Sequence, residues 1–467
     1  MEFTNLVKQA DQRTYTFTLS PIHVSYANTL RRLILTGVET ISFRADMTSS
    51  GTTTDVVVKR NDTPMTNEML AARIGLLPVH VTEPLKWKDT DYQFLLRVEG
   101  DAERTRHVTA SDFQVVRLSG APDSNGVYDE KEETIVPTDT FFPPHPLTRQ
   151  TCLLATLQPG SGSVQQKIEI VAKASRGTGR EHARFSPVSQ CSYEYTLDND
   201  PERIDIMFQS WLEHAKKASG LEKGSARYAE LEREFRTMQI KRCYLKDEKG
   251  EPFSFDFTVE SVGVLSVDYI LQRACEVGEN MCSLYVNIDK GKLPSEITIS
   301  HANCRLIGYD FLFRGHDHTL GNLFQTWLVQ NHIEGNAQPK ITYAGFSVPH
   351  PLRDEMVLRI GVEDGEESTA RAAVAAAARG CVELFQSLKR AWLRDTGALV
   401  PLAPQRPVGR RPTVARSTAS SASASASASL PASSAAPSSA LPAAPLVKKR
   451  PVLIKKPAPA SPAPDSV

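Results

Sequence analysis

The chain has 467 residues, 40% of them hydrophobic, which is enough for two or three folded domains. Its formal net charge of zero conceals an asymmetry: from Pro401 to Val467 nine Lys/Arg stand against one acid, Asp465, leaving this tail at +8, while the remaining 45 basic and 53 acidic residues leave the body at −8. An acidic body argues against a general nucleic-acid binder, and the absence of any apolar run of about 18 residues or of a signal-like core in MEFTNLVKQADQR predicts a soluble, intracellular protein.

In chain order, Thr14 to Leu19 (TYTFTL) alternates as a half-buried strand that Ser20-Pro21 ends. Val24, Ala27, Leu30, Leu33 and Ile34 then share one face of a helix, which Gly37 closes. Ile41 to Met47 reads as a strand. A second helix spans Asn67 to Ile74 behind Pro64, stopped by Gly75 and a strand-like Leu76-Leu77-Pro78-Val79. Residues 92–98, 113–118 and 165–172 read as strands, and richness in Pro, Gly, Thr and Ser predicts long loops over 119–164. Helical spacing marks 202–217 and 225–239, 253–264 is strand-like, and 267–284 is a long apolar-faced helix. A polar connector follows.

A new unit then begins, with strands at 296–299 and 303–313 and a helix at 318–330 that gathers Leu320, Leu323, Phe324, Trp327 and Leu328 on one side. Strands at 341–347 and 356–363 lead to an Ala-rich helix at 369–392 ending near Gly397. After Trp392 there is no aromatic residue, and Ser, Ala and Pro dominate. Such a segment buries too little apolar area to offset its ordering entropy, so 399–467 is read as a disordered basic tail. Its basic clusters, Arg406 to Arg416 and KKRPVLIKK at 448–456, suit an import signal, a weak nucleic-acid contact or a solubilising tail.

Several chemical signals are discounted. Cysteines 152, 191, 243, 275, 282, 304 and 381 are odd in number and form no C-x-x-C pair, which favours reduced thiols and no metal. His316-Asp317-His318 has no third ligand placed by sequence, and reads instead as a helix start that Asp317 or Thr319 caps. Asp89-Thr-Asp91 and Asp198-Asn-Asp200 are acidic strings without a metal-site context. The run Arg176-Gly177-Thr178-Gly179-Arg180 lacks the Lys-Ser/Thr and the strand–helix frame of a phosphate cradle. No nucleophile–base grouping stands out, so no catalytic residue is expected.

The two units echo one another: strand, helix carrying a small residue before Asn (Ala27-Asn28, Gly321-Asn322), then a long closing helix. HVSYANTLRRLIL (23–35), MLAARIGLLPV (69–79), RGTGREHARFSPV (176–188) and FTVESVGVL (257–265) resemble, in this order, motifs of the alpha-like third-largest subunit of eukaryotic RNA polymerase II. GHDHTLGNLFQTWL (315–328), ITYAGFSVPHPL (341–352) and MVLRIGVE (356–363) resemble its smaller alpha-like partner, the eleventh subunit. Both partners on one chain resemble the transcription machinery of large nucleocytoplasmic DNA viruses.

The resemblance implies an α+β fold: two alpha-like dimerisation domains forming an intramolecular pseudo-dimer, with a β-rich inserted domain. The expected divisions are 1–50 with 183–285 for the first dimerisation domain, 51–182 for the insert, 286–295 for a linker and 296–398 for the second. The expected seam packs helix 24–36 on helix 318–330 through Ala27, Leu30, Leu33, Ile34, Leu320, Gly321, Leu323, Phe324, Trp327 and Leu328, with Ala27 and Gly321 permitting close approach. A linker of about ten residues spans at most about 35 Å and raises the partner's effective concentration to about millimolar.

The implied function is a non-catalytic platform for a DNA-directed RNA polymerase. Its expected partners are the two largest subunits and small alpha-associated subunits, with DNA met only through the complex and no membrane. Large-subunit contacts would fall on Arg31, Arg32, Arg73, Gly75, Leu76, Pro78, Gly177, Arg180, Glu181 and His182. Many such subunits carry a cysteine cluster for zinc or iron–sulfur in the insert. Only Cys152 and Cys191 lie near it here, so no cofactor is expected. The compartment would be host cytoplasm or virion for a viral protein and otherwise the nucleus. A free-standing DNA-binding regulator using the tail is the rival reading.

Overall fold

The computed structural model describes residues 1–46, 55–118, 134–160, 165–216, 220–302 and 305–397. The predicted disordered tail lies outside the described residues, as do 119–133 and 161–164 of the predicted long loop. Two halves of like architecture share one core. The first half is an antiparallel sheet ordered β1 (Glu2–Lys8), β2 (Thr14–Ser20), β13 (Phe255–Ser261), β12 (Val188–Tyr195), with helices α1 (Val24–Thr36) and α5 (Val267–Ser283). The second is a sheet ordered β14 (Ile297–His301), β15 (Gly308–Arg314), β17 (Glu355–Gly361), β16 (Tyr343–Ser347), with α6 (His318–Leu328), a π turn at Val329–Ile333 and α7 (Glu367–Asp395).

Period-two alternation builds both sheets. Phe255, Phe257 and Val259 of β13 face inward, as do Tyr309, Phe311 and Phe313 of β15 and Met356, Leu358 and Ile360 of β17. Phe17 lies opposite Phe257 in register, and the rings stack at 5.3 Å. These side chains join those of all four helices in one continuous core that crosses from one half to the other.

Between α1 and β12 the chain makes a second core. A ribbon of β3 (Glu39–Ser42) and β11 (Ser175–Thr178) leads to a sheet ordered β4 (Val56–Asn61), β10 (Lys167–Ala172), β5 (Tyr92–Glu99), β7 (Phe113–Arg117), β8 (Thr134–Val136). The pair β6 (Arg106–Thr109) and β9 (Leu153–Leu157) and helix α2 (Asn67–Gly75) complete it. Phe43, Phe94, Phe113, Phe141 and Phe142 pack at its centre. Between β12 and β13 a helical hairpin, α3 (Pro201–His214) and α4 (Ala226–Met238), encloses a third, small core of Phe208, Leu212, Leu231 and Phe235.

Several sequence expectations need correction. β8 and β9 are strands inside the span predicted as loops, each too short to display a period. The strand expected over 41–47 ends at Ser42, where pairing with β11 stops. Leu76 to Val79 is not a strand: Leu77 and Val79 are buried and Leu76 and Pro78 exposed, but no strand pairs with the segment and Pro78 lacks a donor. β1 escaped notice because a register shift between Thr4 and Val7, with Asn5 at φ 53°, breaks its alternation. Gly37 does close α1, its N–H donating to Leu33 O at 2.9 Å, yet its φ of −103° is not left-handed. A Cβ there would sit 3.0 Å from Leu33 O and 3.1 Å from Val277 of α5, so it is close approach rather than a left-handed backbone that favours a small residue here.

Candidate functional site

The halves meet along two helix pairs. In the first, α5 and α7 run together with small residues between them. α5 turns Ala274, Cys275, Gly278 and Cys282 inward; α7 answers with Ala373, Ala377, Ala378 and Cys381 before Phe385 and Trp392. A Cβ on Gly278 would lie 2.6 Å from the Phe385 ring, so glycine is required for this crossing. Trp392, fully buried, reaches the first half's sheet edge-on to Phe3 and Phe17, with ring centroids 5.1 and 5.3 Å away. Asp395 accepts the Phe3 N–H at 2.9 Å. At the margin, Lys389 bonds Glu276 at 2.6 Å and Gln386 bonds Glu279 at 2.8 Å. Burial pushes the Cys275 thiol up to about 12, and burial with Cys282 alongside raises Cys381 well above the ordinary thiol range. Both are inert packing groups.

In the second pair, α1 and α6 present the predicted apolar faces. Ala27, Leu30, Leu33, Ile34, Leu320, Gly321, Leu323, Phe324 and Leu328 are buried and Trp327 is half-buried. The hydrogen bonds that cross this pair are side-chain to side-chain: Thr326 Oγ1 to Ser25 Oγ (3.0 Å), Tyr26 OH to Gln330 Oε1 (2.8 Å) and Arg32 Nε to Thr319 Oγ1 (2.9 Å). Arg32 Nη2 also lies 3.2 Å from Asp317 Oδ2. Burial opposes ionisation of Asp317, but the Thr319 bonds and the Arg32 and Arg180 charges hold its carboxyl below the ordinary range. Gly321 does not serve this crossing: a Cβ there would strike Phe346 of β16 in its own half.

The connector between the halves is more than a tether. Tyr285 and Ile288 are buried, and Tyr285 OH meets His316 Nε2 at 2.7 Å. Burial raises the Tyr285 phenol to about 12 and lowers the His316 imidazole. Arg379 of α7 bonds Val286 O at 2.6 Å.

The motifs singled out for partner contacts converge around the C-terminal end of α1. Gly179 packs against Leu35 O, and Arg180 N–H donates to Thr36 O at 3.2 Å. Gly177 lies under the Phe185 ring, where a Cβ would come within 2.7 Å. The end of α2 joins them: Gly75 is buried, and a Cβ there would lie 3.2 Å from Arg184 Nη1, whose guanidinium also donates to Phe43 O and Asp46. Gly75 is thus the last residue of α2 and a close-approach position, with Leu76 as the cap. Arg73, Leu76, Pro78, Glu181 and His182 are exposed on this face, Leu76 at 64%, and Arg31 is half-buried, bonding Asn28 at 3.0 Å. Several of the expected contacts are engaged within the chain, among them Arg73, which donates to Leu153 O at 3.1 Å. Arg32 bridges to α6, and Arg180 bonds Asp354 Oδ1 at 2.5 Å and Gly315 O at 3.1 Å in the second half. Glu181 pairs with Arg44 at 2.8 Å.

The discounted signals have structural employment. Asp317 caps α6 by accepting Thr319 N–H at 2.7 Å, and His318 packs edge-on to Phe346. Asp198 receives Arg203 Nη2 at 2.9 Å, and Asp200 caps α3. Among the described residues no group of three His, Cys, Asp or Glu could hold a metal ion. The sequence reading missed the α5–α7 crossing. Its signal was Gly278 in mid-helix, which costs about 1 kcal/mol relative to Ala unless packing demands it.

Comparison with known proteins gives two family matches of one description. Residues 16–282 and 309–391 each match the RNA polymerase Rpb3/Rpb11 dimerisation domain. The chain is 26% identical over 317 residues to the human DNA-directed RNA polymerases I and III subunit RPAC1, covering 60% of this chain and 83% of the relative. Against the DNA-directed RNA polymerase subunit Rpo3 of Methanosphaera stadtmanae it is 23% identical over 279 residues, covering 58% and 93%. Against the DNA-directed RNA polymerase II subunit rpb3 of Dictyostelium discoideum it is 25% identical over 291 residues, covering 56% and 86%.

Proposed function

This chain belongs to the RNA polymerase Rpb3/Rpb11 dimerisation-domain family, and from that premise we propose that it is a non-catalytic assembly platform of a multisubunit DNA-directed RNA polymerase. One observation carries the reading: a single apolar core passes from β1 and α1 through α5 into α6 and α7, so the paired state that makes a platform is reached within one chain. We divide the chain into a first dimerisation domain (1–50 with 183–285), an insert (51–182), a linker (286–295) and a second dimerisation domain (296–398). The protein acts inside the cell, where it assembles with other polymerase subunits.

The two largest subunits and small alpha-associated subunits are the proposed partners. Arg31, Arg73, Leu76, Pro78, Glu181 and His182 form the proposed docking face. Its support is the convergence of three sequence-distant motifs at the end of α1, with Leu76 exposed beside charged neighbours, since an exposed large apolar side chain among polar ones suits a partner surface. Arg32 and Arg180 hold the two halves in register beneath it.

Co-expression of the full chain with the two largest subunits tests the proposal. The three should co-purify, and Leu76→Asp with Arg73→Glu should abolish co-purification while costing at most about 1 kcal/mol of stability through the lost Arg73 bonds to Leu153 O. Deleting 399–467 should leave assembly intact. A chain that isolates as a stable monomer and never joins the large subunits would refute the platform role, and nucleotide turnover by the purified chain would refute its non-catalytic character.

A further inference from the structure

One groove lies along the α3–α4 hairpin. The first turns of α3 pass over residues 243–246, which run back along 196–198 through Asp198 N–H to Cys243 O (2.9 Å) and Leu245 N–H to Thr196 O (3.0 Å). The cavity between them holds about 400 Å³ and is walled by Ile204, Ile206 and Met207 on one side and Leu245 and Phe253 on the other. Ile206 is 67% exposed, because the small core takes Phe208 and Leu212 from the opposite side of α3. A single exposed Ile is ordinary; five apolar side chains lining one concavity are not.

Cations outnumber acids in the lining, with Arg203, Arg242 and Lys246 against Asp198. Asp198 is closed by Arg203 and by Asp200 N–H, and Arg203 is divided between Asp198 and Asp200. Of the acids in the neighbouring turn, Asp247 accepts the Lys249 and Glu251 N–H groups, Glu251 faces His23 at 3.3 Å, and the exposed Glu248 does not line the groove. Among the described residues, what remains at the mouth is Arg242, exposed and in no ion pair, and Lys246, exposed above the Tyr244 ring at 4.9 Å. Two cations with no ion-pair partner among the described residues therefore guard an apolar pocket on a body whose net charge is −8.

We propose that this groove docks a short acidic and apolar segment of another polypeptide, seating a bulky apolar side chain between α3 and Phe253 and setting carboxylates over Arg242 and Lys246. Charge complementarity selects that occupant. The basic clusters of this chain's own tail carry the same sign as the rim, and the acidic body repels a nucleic-acid backbone. The proposal goes beyond the platform role and stands without it.

A phage-displayed random peptide library selected on the full chain tests it. The enriched peptides should combine a bulky apolar residue with several carboxylates and should weaken as salt rises. Their affinity should fall about tenfold with Arg242→Glu/Lys246→Glu and about fivefold with Ile206→Ser. All three side chains are exposed, so the variants should keep the parent melting point; Ile206→Ala serves as a second apolar probe if the serine variant does not. Enrichment of basic peptides, enrichment insensitive to both kinds of variant, no enrichment at all, or displacement of the peptides by oligothymidine would each overturn the proposal.

Discussion

The two helix pairs that join the halves solve one problem with different chemistry. α5 and α7 meet through Gly278, alanines and cysteines, then lock with Phe385 and Trp392. α1 and α6 bury apolar faces too, but the bonds crossing between them are Thr326 to Ser25, Tyr26 to Gln330 and Arg32 to Thr319 and Asp317. Hydrophobic contact is non-directional and scales with area, so the first pair, whose side-chain bonds Lys389–Glu276 and Gln386–Glu279 lie at its margin, supplies mainly adhesion. Hydrogen bonds between fixed side chains tolerate little displacement, and a buried donor without its acceptor is costly, so the second pair supplies register. A pseudo-dimer needs both, because adhesion alone would let two ridged helices settle in more than one alignment.

The comparison can be broken from its adhesive side first. Phe385→Ala or Trp392→Ala should each cost about 3–5 kcal/mol, read as a fall in the denaturation midpoint. If the connector is cut at the exposed Gly291, the parent halves should stay together and these variants should separate on a sizing column. Gly278→Val keeps every polar group yet inserts atoms where Phe385 lies, and should cost about 1–3 kcal/mol.

Tests of register give smaller effects. Ser25→Ala leaves the buried Thr326 hydroxyl without this partner and should cost about 1 kcal/mol; Ser25→Ala with Thr326→Val should recover most of it, because neither polar group then remains. Arg32→Ala should cost below about 1 kcal/mol and lose its effect at high salt, since both partners are one-third exposed. Full cost at high salt would show that Arg32 acts by packing instead. Acid should loosen both pairs in one direction. Asp317 in one and Glu276 in the other titrate below their ordinary values of 3.8 and 4.5. Their contribution is therefore present above those values and lost as pH falls through the lower folded ones. Asp317→Asn should flatten this part of the acid-stability curve; an unchanged curve would show that Asp317 adds no pH-linked stability.

Much of this was readable along the chain. Period-two runs gave β2, β13, β15 and β17, and the i, i+3, i+4 spacing gave α1 and α6 with their buried faces. Asp317 was legible as a cap because capping acts over two or three residues. The role of Gly321 was misjudged because a glycine shows only that something comes close; here that is Phe346 in its own half, whereas the glycine that admits the other half is Gly278. Arg32 and Arg180 read as large-subunit contacts because their partners, Asp317 and Asp354, lie 285 and 174 residues away in the chain.

By itself, then, the sequence determined what most of the longer elements are, which face of each is apolar, and that two related units follow one another. Those properties depend on neighbours within a turn or a pleat. The tertiary structure decided that α5 and α7 form the main adhesive crossing, that the connector is anchored through Tyr285, and that three remote motifs share one face. Such choices depend on shape and charge matching between segments far apart in the chain, and no local period records which surface a given face will meet.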